Sequence, residues 1–374
     1  MIKSPSRQQR SLGALAERLA VLPDPRSRRG VRHPFVAVLL VAACAVTGGA
    51  RSWAAIGQWA KAAPQDTLAR LEARAAGGLG VRVAPSLSTV RRVVIGVCPG
   101  GLADLTGQDP AGAESLAVDG KATRGSRHRD TPAVHLLASM TDRGRTVTQL
   151  LVPGKTNEIT YFTALLAPFD LRGVVVTADA LHTQTGHVRY LVEEKNAHYL
   201  LLVKANQPAL FAALRSLPRR KVTTRRYDRE HCHGRRETRA TRVLTVTGLG
   251  VDFPHVVQAA RILRYRVDQA SGRCTRETVY ANTDLTSTDA SPQKIGRLLR
   301  AHWTIENRLH HVRDTTFAED ASKIRTGHGP ANLSTLRNLT INAHRDAGHT
   351  NIAAGLRDTA YEPFTRPLKL LGIN

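Results

Sequence analysis

Acidic residues are scarce in this chain. Its 374 residues include 30 Asp and Glu against 54 Lys and Arg, which gives a formal net charge of +24. With 42% hydrophobic residues, the composition excludes a disordered basic tail and predicts a folded protein with a strongly positive surface. Such a surface favours a polyanionic partner, most simply nucleic acid, while attachment to a ribosome or an anionic membrane is a weaker alternative.

Cysteines and long apolar runs are also few. The four cysteines lie far apart without a C-x-x-C pair, which excludes a disulfide scaffold and favours a reducing cytoplasm. The longest apolar stretch, residues 35–50, has 16 residues and ends in Gly-Gly. Because a membrane-spanning helix needs about 20 residues, we expect a buried helix, no membrane association and a cytoplasmic protein.

Changes in periodicity and in Gly, Pro and Arg content divide the chain into consecutive parts. We predict a basic N-terminal arm (1–34), a helical domain (35–99), a linker (100–113), the first part of an α/β core (114–207), a basic β-rich insertion (208–285), the completion of the core by a long helix (286–350) and a C-terminal tail (351–374). The helix predicted after Ser86 carries Arg91 and Arg92 in its first turns, as DNA-recognition helices do. A solvated helix face explains both arginines equally well.

Short apolar runs after residue 114 predict the order β-β-β-α-β-α-β, then an insertion and a long helix near 292–313. The run 173–179 is rich in β-branched residues and is expected to be buried on both faces. Within the insertion, residues 215–242 contain eleven basic residues and three acids. Cations at this density repel one another unless phosphates screen them, so DNA contact is favoured over a solvated surface.

Three carboxylates occupy informative positions. Asp119 and Asp179 each end a predicted strand, where ligands have access, although Asp119 could simply open a turn and Asp179 could cap the next helix. Glu306 lies on the long helix. One face of that helix also carries, at helical spacing, His302, Trp303, His310 and Arg313. An exposed salt-bridged helix is the alternative, and Trp303 is expected to pack in the core rather than stack on a base.

Six separated motifs carry a family resemblance. They read AVDGKATRGS, GKTNEITYF, VVVTADALHTQ, YLLLVKANQPAL, HGRRETR and RAHWTIENRLHHVRDTTFAEDASKIRTG. In this order they resemble the H-repeat-associated group of bacterial insertion-sequence transposases. The upstream run LPDPRSRRGVRHPFVAVLLVAACAVTGGARSWAAIGQWA is similar to that group's N-terminal associated domain, so the resemblance covers residues 20–345.

The resemblance implies an α/β fold: an RNase H-like mixed sheet flanked by helices, with a β-rich basic insertion and an N-terminal all-helical domain. It also implies the acidic triad of DDE transposases, with Asp119, Asp179 and Glu306 as catalytic residues and metal ligands. The substrate would be DNA, as element ends and as target, bound by a homodimer at the nucleoid.

Such chemistry would use two Mg²⁺ ions, or Mn²⁺ in their place, about 3.5–4 Å apart. Asp119 would bridge both ions, and Asp179 and Glu306 would each flank one. Water would attack first and free a 3′-hydroxyl, which would then attack target DNA in the same site.

Further residues are expected to contact DNA from strand ends, from the insertion or from the Glu-bearing helix. They are Lys121, Lys155, Lys204, Asn206, Gln207, Arg235, Arg236, His302 and Arg313. For the strand-end residues, surface charge and turn capping are equal alternatives. A broader related group has a Tyr, Arg, Glu, Lys signature on this helix. This chain has Leu299, His302, Glu306 and Arg313 there, so a catalytically decayed DNA-binding protein stays an alternative, as does an RNase H-like nuclease without strand transfer.

Overall fold

The computed structural model describes residues 14–27, 29, 31–154, 157–218, 225–232 and 235–373. The N-terminal third is built from helices and one small hairpin. They are α1 (Leu15–Ala20), α2 (Phe35–Thr47), α3 (Trp53–Ala62), α4 (Gln65–Arg70), the paired strands β1 (Ala75–Ala76) and β2 (Val81–Arg82), α5 (Leu87–Gly96) and α6 (Pro99–Thr106). Residues 37–47 of α2 are all buried, as the apolar run predicts.

Strands and helices alternate in the rest of the chain. They are β3 (Ser115–Thr123), β4 (Val134–Thr141), β5 (Thr146–Val152), α7 (Phe162–Leu166), β6 (Val175–Ala178), α8 (Thr185–Arg189), β7 (His198–Val203), α9 (Pro208–Ser216), β8 (Arg225–Cys232), β9 (Arg235–Thr245), β10 (Gln258–Asp268), β11 (Cys274–Thr283), α10 (Pro292–His302), α11 (His311–Thr315), α12 (Gly329–Asp346), α13 (Ile352–Tyr361) and α14 (Arg366–Leu370). Wider π turns cover Tyr190–Glu194 and Glu306–His310.

The strands β3 to β11 form one mixed sheet in the order β5-β4-β3-β6-β7-β11-β10-β9-β8. The central strands β3, β6 and β7 are parallel, and the remaining pairs are antiparallel. The β-rich insertion predicted over 208–285 therefore does not form a sheet of its own, because β11 pairs with β7 and extends the core sheet. The mixed α/β architecture predicted from the sequence is confirmed.

Alternation along β3 separates two cores. Leu116 and Val118 pack with Phe162 and Leu166 of α7 on one face of the sheet. Ala117 points to the opposite face and joins a larger cluster that includes helices from both ends of the chain. The parallel centre of the sheet is thus covered on both faces, which leaves the ends of its strands as the accessible places.

The segment 100–113, for which the sequence predicts a linker, begins with helix instead. Pro99 occupies the first turn of α6, and the helix packs on β5 and α12. Gly107 serves close packing, because a Cβ there would lie 1.7 Å from the backbone oxygen of Val147. Gly112, with a φ of +75° and no atom near its Cβ position, serves a turn instead.

The C-terminal tail predicted over 351–374 contains α13 and α14, which fold back onto the N-terminal helices. Thr359 Oγ1 donates to the backbone oxygen of Thr47, and Trp59 Nε1 donates to that of Pro363. No helix within the described residues is long and apolar enough to cross a membrane.

Candidate active site

Parallel pairing sets Asp119 and Asp179 side by side. Val118 of β3 lies opposite Ala178 of β6, so each aspartate follows a paired residue on neighbouring strands. Such strands lie about 4.8 Å apart, and alternation places both aspartates on the sheet face that Thr177 occupies. Asp179 follows the end of β6, as the sequence predicts, but Asp119 does not end a strand, because β3 continues to Thr123 and Asp119 pairs with Ala138 of β4. The two aspartates are nevertheless neighbours in space.

Glu306 approaches this face from a helix whose geometry changes at the site. The sequence predicts one helix over 292–313, but α10 ends at His302 and residues 306–310 form a π turn before α11 begins. A π turn is wider than an α turn, so the predicted stripe of side chains divides. Trp303, expected in the core, is 42% exposed, and Arg313 is fully buried.

Asp119, Glu306 and His310 converge beside the middle of β3. His310 Nδ1 lies 3.4 Å from Asp119 Oδ2 and 3.8 Å from Glu306 Oε2. One ligand atom from each of the three residues lies within 4.8 Å of the others. His310 is buried, whereas the side chain of Glu306 is 54% exposed. Two carboxylates and one imidazole at this spacing can hold a divalent cation.

The protonation of this group reflects its contacts. The close approach of the His310 imidazole lowers the pKa of Glu306. Burial disfavours the charged form of His310, but the nearby carboxylates of Asp119 and Glu306 outweigh burial and raise its pKa. In the absence of a metal, the imidazole therefore partly balances the two carboxylates.

His302 is buried beneath the three carboxylates of Asp119, Asp179 and Glu306, and all three influence its charge. It is 5% exposed, and its Nδ1 lies 3.3 Å from Thr177 Oγ1. Burial lowers the pKa of His302, while the charges of Asp119, Asp179 and Glu306 act in the opposite direction. The residue predicted to contact DNA is thus inside the protein, under the carboxylates.

Comparisons with known families agree with this geometry. A family model described as "Transposase DDE domain" matches residues 110–343, and one described as "DDE_Tnp_1-associated" matches residues 16–108. The chain belongs to the DDE transposase family. The RNase H-like fold expected from the sequence is confirmed with it, and the family acts on DNA and uses divalent metals.

Relatives of this chain match nearly its whole length. "Putative transposase YncI" of Escherichia coli O157:H7 is 29% identical over 90% of this chain and 88% of its own. "H repeat-associated putative transposase YhhI" of Escherichia coli K12 is 27% identical over 88% of this chain and 90% of its own. The resemblance to the H-repeat-associated group is therefore confirmed.

Asp179 does not join the compact group of Asp119, Glu306 and His310. Its Oδ1 accepts the backbone N–H of Leu181 at 2.9 Å and caps the short turn that follows β6. Asn206 and Gln207 hold the same loop, because their side-chain amides donate to the backbone oxygens of Ala180 and Thr183. Both residues, predicted to contact DNA, are tied to the loop that carries Asp179.

Two cations predicted to bind DNA pair with acids instead. Lys121 Nζ lies 2.9 Å from Asp314 and 3.4 Å from Asp320, and its side chain is only 9% exposed. Arg313 has no exposed surface and binds Glu319 through two nitrogens, at 2.6 and 2.9 Å. These contacts tie the Glu-bearing helix of the DDE domain to β3 and α12, which gives both cations a structural role.

Two of the remaining residues predicted to contact DNA are exposed at the surface. They are Lys204, after β7, and Arg236, on β9. The backbone of Arg235 belongs to β9, but its side chain is outside the part of the chain that the structure describes, and so is the whole of Lys155. Trp303 is also exposed, and the Arg264 guanidinium lies 5.9 Å from its ring centre.

The two faces of the insertion differ in charge. Cross-strand register places every acid of β8 to β11 on one face, which we call the paired face. Its acids are Asp228, Glu230, Glu237, Asp268 and Glu277. On the opposite face of these strands, the described residues include no acid. We call it the arginine face, and its arginines are Arg229, Arg236, Arg242, Arg261 and Arg276.

Glu158 is a site residue to which the sequence analysis assigns no role. Its carboxylate lies 2.5 Å from His135 Nε2 and 3.3 Å from His182 Nε2. Burial favours its neutral form, but these two hydrogen bonds lower the pKa of Glu158 to about 2. A Cβ on Gly120 would lie 2.2 Å from Glu158, so the carboxylate supports the strand directly after Asp119. The motif GKTNEITYF, which contains Glu158, was the available signal.

Proposed function

We propose that this protein is the transposase of a bacterial insertion sequence, which cuts the ends of the element and joins them to target DNA. The observation that carries the proposal is the convergence of Asp119 and Glu306, which come from distant parts of the chain, within reach of one cation. Asp179 at the neighbouring strand end supplies the third carboxylate.

The donor atoms fit divalent cations. Carboxylate oxygens are the hard ligands that Mg²⁺ and Mn²⁺ prefer, and half-exposed Glu306 leaves room for a phosphate beside them. Asp119 would hold both ions, and Asp179 and Glu306 would each hold one. When bound, the ions would activate the attacking oxygen and stabilise the leaving oxygen of the phosphodiester.

The positive surface supplies the affinity for DNA. Arg229, Arg236 and Arg276 of the arginine face are exposed, and neighbouring Tyr227 is 49% exposed. Arginine side chains bind backbone phosphates without reading sequence, and exposed aromatic rings can stack on bases. Because two element ends must be brought together, we propose that two copies of the chain act on each pair of ends.

Plasmid cleavage tests the catalytic assignment. With Mg²⁺ and a plasmid that carries the element ends, we expect cleavage by the wild-type protein and none by Asp119→Asn, Asp179→Asn or Glu306→Gln. Each variant should bind DNA within about twofold of wild type, because removing a carboxylate takes no phosphate contact away. Asp66→Asn, an exposed acid in α4, is the matched control and should cleave normally.

Joining of pre-cut ends tests the second half of the proposal. Pre-cut element ends and a target plasmid should yield covalent joints, and light scattering should give two chains per pair of ends. Hydrolysis without joining would identify a nuclease that lacks strand transfer. Cleavage activity that persists in all three acid variants would show that Asp119, Asp179 and Glu306 are not the catalytic residues.

A further inference from the structure

We infer that His310 is a nitrogen ligand of the divalent cation, so that the metal centre is a mixed oxygen and nitrogen site rather than a purely carboxylate one. This inference rests on the proposed function, because it assigns a further ligand to the same site. It starts from His310 Nδ1, which lies 3.4 Å from Asp119 Oδ2 and 3.8 Å from Glu306 Oε2.

The π turn brings Glu306 and His310 into line. In an α-helix, residues four apart are offset by about 40° around the axis. The wider turn over Glu306–His310 reduces that offset, so both side chains project towards Asp119 in the middle of β3. Single π turns inside helices occur frequently at functional sites. Here the turn aims an imidazole at the same place as the carboxylate.

Burial fixes the direction of the imidazole. His310 is 4% exposed, and its Nε2 is buried without a hydrogen-bond partner among the described residues. Its polar contacts run through Nδ1 to the two carboxylates. A small outward shift of Asp119 or Glu306 would open space for an ion that all three residues contact. Neighbouring His311 is exposed on the other side of the helix.

A nitrogen ligand changes which metals the site prefers. Mg²⁺ favours oxygen ligands and retains its waters, whereas imidazole is a better ligand for later divalent ions. Replacing His310 should therefore weaken Mn²⁺ binding more than Mg²⁺ binding. Loss of a ligand should lower Mn²⁺ affinity by at least about tenfold, since even residues that only support ligands alter metal affinity by 10–100-fold.

Pulsed electron paramagnetic resonance of bound Mn²⁺ tests the inference directly. Tag-free protein is loaded with less than one equivalent of Mn²⁺, and the spin-echo modulation is examined for directly bound ¹⁴N. We expect ¹⁴N coupling that changes to ¹⁵N coupling when histidine is the labelled residue. The chain has 15 histidines, so His310→Gln must abolish the coupling, while the matched variant His311→Gln must retain it.

The outcomes separate this inference from the proposed function. Suppose that Mn²⁺ binds to the wild type, that Asp119→Asn abolishes this binding, and that the bound Mn²⁺ shows no coupling to histidine nitrogen. This result would overturn the role of His310 alone. Unchanged Mn²⁺ affinity in His310→Gln would do the same, because His310 would then contribute nothing to metal binding. A rise in affinity would also do so, because it would make His310 a competitor of the metal. No specific Mn²⁺ binding in the wild type would overturn the metal site itself. If His310→Gln does not fold, the histidine-labelled wild-type spectrum still decides whether an imidazole is bound.

Discussion

The paired face and the arginine face of the insertion belong to the same four strands, but only the paired face carries acids beside its arginines. On the paired face, Glu237 contacts Arg239 at 2.6 Å and Arg266 at 3.3 Å and also binds Arg264. On the arginine face, exposed Arg229, Arg236 and Arg276 have no acid beside them on the described strands.

This difference shows how a strongly basic chain can fold and still bind a polyanion. Arginines paired with acids stabilise the sheet, and their charge is no longer available to a ligand. Arginines without neighbouring acids repel one another in the free protein. Phosphates that screen this repulsion lower the free energy of the complex and so favour DNA binding. The predictions that follow test whether stability depends on the arginines of the paired face and DNA affinity on the exposed arginines of the arginine face.

The largest loss of stability is expected where the same pairing is fully buried. Glu319 has no exposed surface and accepts hydrogen bonds from Arg313, Arg337 and Ser334. Glu319→Gln would leave two buried guanidiniums without a counter-charge, so the free energy of unfolding should fall by about 3–5 kcal/mol. Urea denaturation measures this. Glu306→Gln, the same change on a half-exposed side chain, should shift it by less than about 0.5 kcal/mol. Equal losses would contradict the role of burial.

On the paired face, removing a carboxylate that lies between arginines should also lower the free energy of unfolding, but by less. The side chain of Glu237 is 19% exposed, and Glu237→Gln should lower the free energy of unfolding by about 1–3 kcal/mol, because charged hydrogen bonds to several arginines are lost. Glu277→Gln is the matched control, since its side chain is 52% exposed and lies 3.6 Å from Arg264. A control that destabilises as much as Glu237→Gln would show that pairing on this face adds nothing.

Acid should remove the contribution of Glu237. Burial favours its neutral form, but the hydrogen bond from Arg264 and the charges of Arg239 and Arg266 lower its pKa below the ordinary 4.5. A carboxyl with a lowered pKa stabilises the fold above its unfolded pKa, and the stabilisation is lost as pH falls through the lowered value. The difference in urea midpoint between wild type and Glu237→Gln should therefore be full at pH 7 and shrink below pH 4.5. A constant difference would exclude ionic pairing.

Parts of the fold and the site could be read from the sequence because they depend on local pattern. The β-branched run before Asp179 predicts a buried strand, and a carboxylate directly after such a strand lies at its accessible end. The motif around Glu306 placed the third acid through family resemblance. Alternation within the insertion strands was also visible, but the register that sorts its charges by face depends on pairing between distant residues.

Other features depend on tertiary contacts that no local pattern contains. The predicted helical stripe was wrong for Trp303, which is exposed, and for Arg313, which is buried beyond the π turn at Glu306–His310. Arg313 can be buried because its guanidinium donates hydrogen bonds to the side chains of Glu319 and Gln149. Gln149 is distant from Arg313 in the sequence, so no local pattern reveals this contact. The glycines of 100–113 predicted a linker because sequence alone does not distinguish close packing from flexibility.

The smallest effect on stability, and the one that matters for DNA, is expected on the arginine face. Combined Arg229→Gln, Arg236→Gln and Arg276→Gln should change the free energy of unfolding by less than about 0.5 kcal/mol. The slope of log affinity against log salt concentration should become less steep by about 0.9 for each phosphate contact removed. Arg172, Arg189 and Arg357 are exposed elsewhere, and changing them to Gln removes the same charge. If that control weakens DNA binding as much, net charge alone explains affinity. A selective loss in the first variant would place the DNA backbone on the arginine face.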